Sequence, residues 1–211
     1  MTPDAFVELY GRVKASAILR TNDQDKAAKA MDAAIRGGFT IIEFTLTVPG
    51  VYELVEDFSR REGLVVGTGT VMDAEEARKS VEAGARFLVS PVVDEAVVAA
   101  ANQLGVASMP GTHTPTEMLR AHRAGAQLCK LFPSPNGGPD WVRAVLGPMP
   151  YLKIVPTNGV DQHNAAAWFA AGAYAAGFVA PLFVPADIAA GRWDAIEERA
   201  AQCIAAVNAR P

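Results

Sequence analysis

The chain has 211 residues, half of them hydrophobic and a fifth charged, and carries a formal net charge of −4. That length and apolar content suffice for one substantial core, so a single domain over 1–211 is expected rather than two. No basic excess and no run of Lys and Arg offers a track for a phosphate backbone, which argues against nucleic acid as a partner.

In chain order, the opening MTPDAFVELYGRVKAS places acidic residues early and has no long apolar stretch, so it reads as a short leading helix and not as a secretory signal. Short β-type apolar runs then recur at 16–20, 40–45, 64–67, 87–90, 106–109, 128–132, 151–156 and 175–179. Amphipathic patterns of helical period separate them, at 25–36, 51–61, 74–83, 95–104, 115–124, 141–146 and 162–171. The uncharged stretch 165–186 is long enough to cross a bilayer, but it is alanine-rich and interrupted by Gly172, Gly177, Pro181 and Pro185. It is expected to be helix, turn, strand and loop, with no membrane partner.

Four helix-to-strand junctions share one punctuation: RGGFT, EAGARF, RAGAQL and AAGAYA. A glycine just past each helix supplies a left-handed cap before the chain re-enters the sheet. Eight alternating units predict an α/β fold, a (β/α)8 TIM barrel preceded by a short N-terminal helix. The rival is a doubly wound open sheet, which would place a glycine-rich nucleotide turn after the first strand; LRTNDQDKA has no glycine.

The barrel gives meaning to a lysine inside the apolar run QLCKLFP. Alternate side chains of a barrel strand face the interior, so Lys130 shares the orientation of Leu128 and Phe132, while Cys129 and Leu131 face the helices. Lys130 also stands near the C-terminal end of its strand, the end where barrel enzymes do their chemistry. A desolvated lysine loses proton affinity, and the neutral amine attacks ketones. On the second strand the same parity turns Ile41, Glu43 and Thr45 inward and Ile42 and Phe44 outward. Glu43 either neutralises Lys130 or carries protons beside a covalent intermediate. The glycines of VVGTGTVM read as a tight strand-to-helix turn. Lys153 is the rival nucleophile, sharing parity with Val155. His113 sits in a loop of the catalytic face, whereas His122 and His163 fall in helical patterns and read as solvated. Cys129 and Cys203 form no CxxC or Cys/His cluster and read as reduced core residues of a cytoplasmic protein without a metal site.

Taken together, IIEFTLT, VGTGTVM, FLVSP, MPGTHTPTE, CKLFPSP, PTNGV and LFVPADIAAGRWD resemble, in order and spacing over nearly the whole chain, the motifs of the 2-keto-3-deoxy-6-phosphogluconate and 4-hydroxy-2-oxoglutarate aldolase family. The resemblance implies a class I aldolase on a (β/α)8 barrel, usually a homotrimer, that needs no cofactor or metal and acts on a small 2-keto acid to give pyruvate. It assigns Lys130 as the Schiff-base lysine and Glu43 as the general acid/base. It further places Thr70 near the pyruvate moiety, Thr157 near the cleaved carbon, Arg20 at the barrel mouth, and Pro91 and Phe132 beside the substrate.

Departures from the family pattern bear on the substrate. Thr47 stands where many relatives carry an arginine, Asn158 and Gly159 replace a glycine pair, and Val179-Ala180-Pro181 replaces a Gly-Gly-Ser segment. Proline offers no N–H to a phosphate, and the Asn158 side chain fills space that glycine leaves open. The expected substrate is 2-keto-3-deoxy-6-phosphogluconate or its galactonate relative. The alternative is 4-hydroxy-2-oxoglutarate or another unphosphorylated acid. A reading from another class is a non-cleaving, anion-binding or isomerase-like barrel.

Overall fold

The computed structural model describes residues 1–209. After helix α1 (Pro3–Val13), eight strands alternate with helices: β1 (Ala15–Leu19), α2 (Gln24–Arg36), β2 (Ile41–Thr45), α3 (Val51–Ser59), β3 (Val65–Gly69), α4 (Ala74–Glu82), β4 (Phe87–Ser90) and α5 (Glu95–Gln103). The second half continues with β5 (Ala107–Thr112), α6 (Pro115–Arg123), β6 (Cys129–Leu131), α7 (Gly138–Leu146), β7 (Ile154–Pro156), α8 (Ala165–Ala170), β8 (Ala176–Phe178), α9 (Pro185–Ala190) and α10 (Trp193–Asn208). The strands lie in the order β7-β6-β5-β4-β3-β2-β1-β8, and every ladder is parallel. The Tyr174 N–H donates to the Ile154 carbonyl at 2.8 Å, bringing the β7 and β8 edges together in a nearly closed barrel. The fold is the expected (β/α)8 barrel.

Side-chain parity sorts the core into two layers. Ile42, Phe44, Cys129 and Leu131 pack outward against the helices. Ile41, Leu128 and Val155 face the barrel axis, together with Phe87 and Met109. The junction glycines Gly38, Gly84, Gly125 and Gly172 all have positive φ, between 94° and 111°, as the repeated punctuation predicted. No helix among the described residues is long and apolar enough to cross a membrane, and the stretch 165–186 divides into α8, β8 and the start of α9.

Helix α1 does more than lead into β1. Thr2 caps it, and its Phe6, Val7 and Tyr10 are buried in the inner layer, with Phe6 stacked on Phe87 at 4.5 Å between ring centroids. The Tyr10 hydroxyl pairs with Ser16 Oγ at 2.7 Å, and Tyr174 Oη donates to the Val7 carbonyl at 2.9 Å. The N-terminal end of the barrel is thereby stoppered, leaving the C-terminal end as the way in.

Candidate active site

The open end is built from side chains at the last inward position of several strands and from the loops that follow. A cavity of ≈ 370 Å³ is lined by Ile18, Arg20, Thr45, Thr70, Pro91, Lys130, Phe132, Thr157, Asn158 and Val179. Seven of the positions expected from sequence are therefore gathered around one space. Lys130 comes from the middle of the three-residue β6, where it pairs with Gly111 of β5 and Val155 of β7. Its ammonium lies 5.1 Å from the Phe132 ring centroid. Burial pushes its pKa below the ordinary lysine range, Glu43 opposes that shift, and Arg20 adds to it.

Glu43 lies in β2, flanked in register by Ile18 and Gly67, and is completely buried. Neither carboxylate oxygen has a hydrogen-bond partner. Desolvation raises its pKa, with Lys130 and then Arg20 acting in the opposite direction. Lys130 and Glu43 thus feel each other through space without a hydrogen bond between them, and burial moves each toward its neutral form. A fully buried carboxyl group without a bond is expensive, so the arrangement keeps its acceptor capacity open toward whatever fills the barrel.

The glycines after Val66 have a different purpose from the turn expected for them. Gly67 and Gly69 lie inside β3, which runs to residue 69 and not 67. A Cβ on Gly69 would fall 1.8 Å from Glu43 Oε1, and one on Gly67 would fall 2.4 Å from the Phe87 ring. They are absent side chains that make room for the carboxylate and for the inner core. Directly after them Thr70 adopts φ = 64°, a left-handed conformation rare for threonine, and its Oγ1 accepts from Arg20 Nη2 at 3.0 Å.

The other expected positions divide. Thr47 does not line this cavity; its hydroxyl pairs at 2.8 Å with that of Thr45, which does, and Thr47 faces an outer cavity. The cause is that Thr47 lies two residues beyond the end of β2, where strand parity no longer directs side chains inward. Gly159, Ala180 and Pro181 stand outside the lining as well. Gly159 has φ = 75°, its carbonyl accepts from Asn164 Nδ2, and Ser134 Oγ donates to the Asn158 carbonyl. Thr157 is buried with its hydroxyl unpartnered.

Lys153 lies at the stoppered end, half-buried beside Asp4, Val7 and Tyr151, with its ammonium 5.9 Å from the Tyr174 ring. Its parity is inward, but it precedes β7 rather than ending it. His113 is exposed, its Nδ1 2.9 Å from the Pro133 carbonyl, and does not line the cavity. His122 and His163 are exposed. Ile18 and Val179 went unmarked in the sequence; the signal that finds Ile18 is its shared parity with Arg20.

A parallel barrel whose open end holds one desolvated lysine and one buried, unbonded carboxyl group defines a barrel lyase of the aldolase type. The sequence pattern of the KDPG and KHG aldolase family matches residues 8–199, and the chain belongs to that family. It is 34% identical over 196 residues to a probable 2-dehydro-3-deoxy-6-phosphogalactonate aldolase of Rhizobium meliloti (strain 1021), covering 92% of this chain and 91% of that protein. It is 31% identical over 172 residues to the 2-dehydro-3-deoxy-6-phosphogalactonate aldolase of Escherichia coli (strain K12), covering 79% and 83% respectively. Among solved structures, native KDPGal superimposes with a TM-score of 0.83 at 28% identity over 92% of this chain and 94% of that one.

Proposed function

We propose that the protein cleaves a 2-keto-3-deoxy-4-hydroxy acid by class I chemistry, with Lys130 as nucleophile and Glu43 as general acid/base. The carrying observation is that Lys130 lines the cavity at the open end while Glu43, fully buried, unbonded and not itself among the lining residues, acts on it electrostatically, burial displacing each toward its neutral form. The neutral Lys130 amine adds to the C2 ketone, and loss of water leaves an iminium. Glu43 takes the C4 hydroxyl proton, the C3–C4 bond breaks, and its electron pair enters the iminium to give an enamine and a free aldehyde. Protonation at C3 by the same carboxyl group, followed by hydrolysis, releases pyruvate and restores the amine. The raised pKa of Glu43 suits both directions of transfer.

Thr70, held to Arg20, stands beside the pyruvate half in this reading, and Thr157 beside the cleaved carbon. The substrate is 2-keto-3-deoxy-6-phosphogluconate or its galactonate epimer, and the two relatives named for phosphogalactonate favour the latter. Assembly as a homotrimer and a cytoplasmic location belong to the same proposal; buried, unpaired Cys129 and Cys203 fit a reducing compartment.

The test is borohydride reduction in the presence of pyruvate, which is expected to fix a reduced pyruvyl group on Lys130. A label mapped to Lys153, or no label in a preparation that cleaves substrate, overturns the assignment.

A further inference from the structure

A second cavity of ≈ 500 Å³ adjoins the first, lined by Arg20, Thr21, Asn22, Asp23, Lys26, Thr47, Pro185, Ile188 and Ala189. Arg20 borders both spaces, and the Thr45–Thr47 hydroxyl pair runs from one to the other. We infer that this outer cavity receives the far end of the substrate and holds its terminal phosphate between Arg20 and Lys26. The inference rests on the aldolase reading and adds a binding site to it.

The outer cavity differs in chemistry from the inner one. Its β1–α2 side carries Arg20, Thr21, Asn22 and Lys26, and the β2–α3 loop adds Thr47. Its α9 side is apolar, with Pro185 and Ile188. Lys26 Nζ reaches across to donate to the Ala189 carbonyl at 3.3 Å, which uses one of its three donors and leaves two. One carboxylate also lines the space, that of Asp23, and its Oδ1 is engaged by the Lys26 backbone N–H as the N-cap of α2.

The α9 side is fixed in place. Asp187, buried within that short helix, is bridged to Arg192 and to Arg199 of α10, so Ile188 and Ala189 are presented by an anchored turn. The corner after β7 and β8 offers less to a phosphate. Pro181 has no N–H there, and the Asn158 side chain lines the inner cavity. Arg20, which borders both cavities, and Lys26 are the two cations that line the outer one.

The experiment compares kcat/KM for 2-keto-3-deoxy-6-phosphogluconate with that for 2-keto-3-deoxygluconate in the wild type, Lys26→Met and Lys26→Arg. The wild type is expected to prefer the phosphorylated acid by about 10- to 100-fold, as one charge-assisted contact and one shared guanidinium allow. Lys26→Met is expected to lower that ratio by about tenfold, and Lys26→Arg to retain most of it. Because a ratio is read, a general loss of activity in a variant cancels. A wild-type ratio near one, an unchanged ratio in Lys26→Met, or an equal fall in Lys26→Arg overturns the inference while leaving the aldolase reading intact. Failure of the wild type to cleave any 2-keto-4-hydroxy acid overturns both.

Discussion

At the scale of single residues, Lys130 and Glu43 were legible because a two-residue period in a buried strand fixes direction, and an ionisable group in an apolar run stands out against it. What the residue letters did not carry was the state of the carboxyl group. Paired with Lys130, Glu43 would have read as neutralisation; unbonded and fully buried, it suits the proposed role of proton carrier. Glu43→Gln is therefore expected to keep the pyruvate adduct and to lose turnover and methyl-proton exchange by about 10²–10⁴-fold. Exchange at the wild-type rate would make Glu43 structural.

The depressed pKa of Lys130 has a consequence for stability as well. Between the folded pKa and the ordinary lysine value near 10.4, the unfolded chain binds more protons than the folded one, so wild-type stability rises with pH in that window. Below the folded pKa the full cost of the buried ammonium is present. Lys130→Met removes it, so the variant is expected to melt above the wild type at pH 7, with the gap narrowing as pH climbs toward 10. Parallel melting curves across that range would show that the lysine is not desolvated in the folded protein.

At the scale of elements, helix and strand order followed from periodicity and from the junction glycines, while strand ends did not. In the sequence the glycines of β3 read as a turn, because a glycine says only that a side chain is missing, and the reason for the gap lies on a different strand. Gly69→Ala tests that reason. Its Cβ would displace the Glu43 carboxylate, so the variant is expected to lose turnover much as Glu43→Gln does while still forming the Lys130 adduct. Near-normal turnover would mean that the carboxylate has another resting place. Lys153 teaches the complementary lesson: inward parity says nothing about which end of the barrel a residue occupies, and three residues of chain separate it from the catalytic end at Pro156.

The role of α1 was equally hidden, since an amphipathic leading helix has the same pattern whether it lies along the surface or across the floor. Phe6→Ala is expected to cost about 3–5 kcal/mol, the range for a buried aromatic in a packed core, measured by denaturant unfolding. A loss below about 1 kcal/mol would show that α1 merely rests on the barrel.

At the scale of the whole molecule, the division into a covalent cavity and an outer cavity separates mechanism from specificity. On the proposed reading, β2 and β6 supply the chemistry inside the barrel, whereas the β1–α2 loop, Thr47 and α9, which line the outer cavity, govern preference among substrates. A well-made phosphate corner of several charge-assisted N–H contacts should favour a phosphorylated substrate by more than about 1,000-fold. The altered corner here, with Pro181 and Asn158, is expected to hold that preference below about 100-fold, read as the ratio of kcat/KM values in one buffer. A ratio above 1,000 would mean that other backbone groups, those of Gly159 and Gly177 first, have rebuilt it.

The stopper formed by α1 turns traffic through this molecule into a last-in, first-out stack. With entry from the C-terminal end and the proposed tether on Lys130, the pyruvate half of the substrate would sit at the bottom, and the aldehyde cut from it would lie between that tether and the exit. The aldehyde must leave before water hydrolyses the adduct and pyruvate follows. Release is expected to be ordered, with pyruvate inhibiting cleavage competitively and the aldehyde noncompetitively. An inhibition pattern with the two products exchanged would mean that the barrel has a second way out.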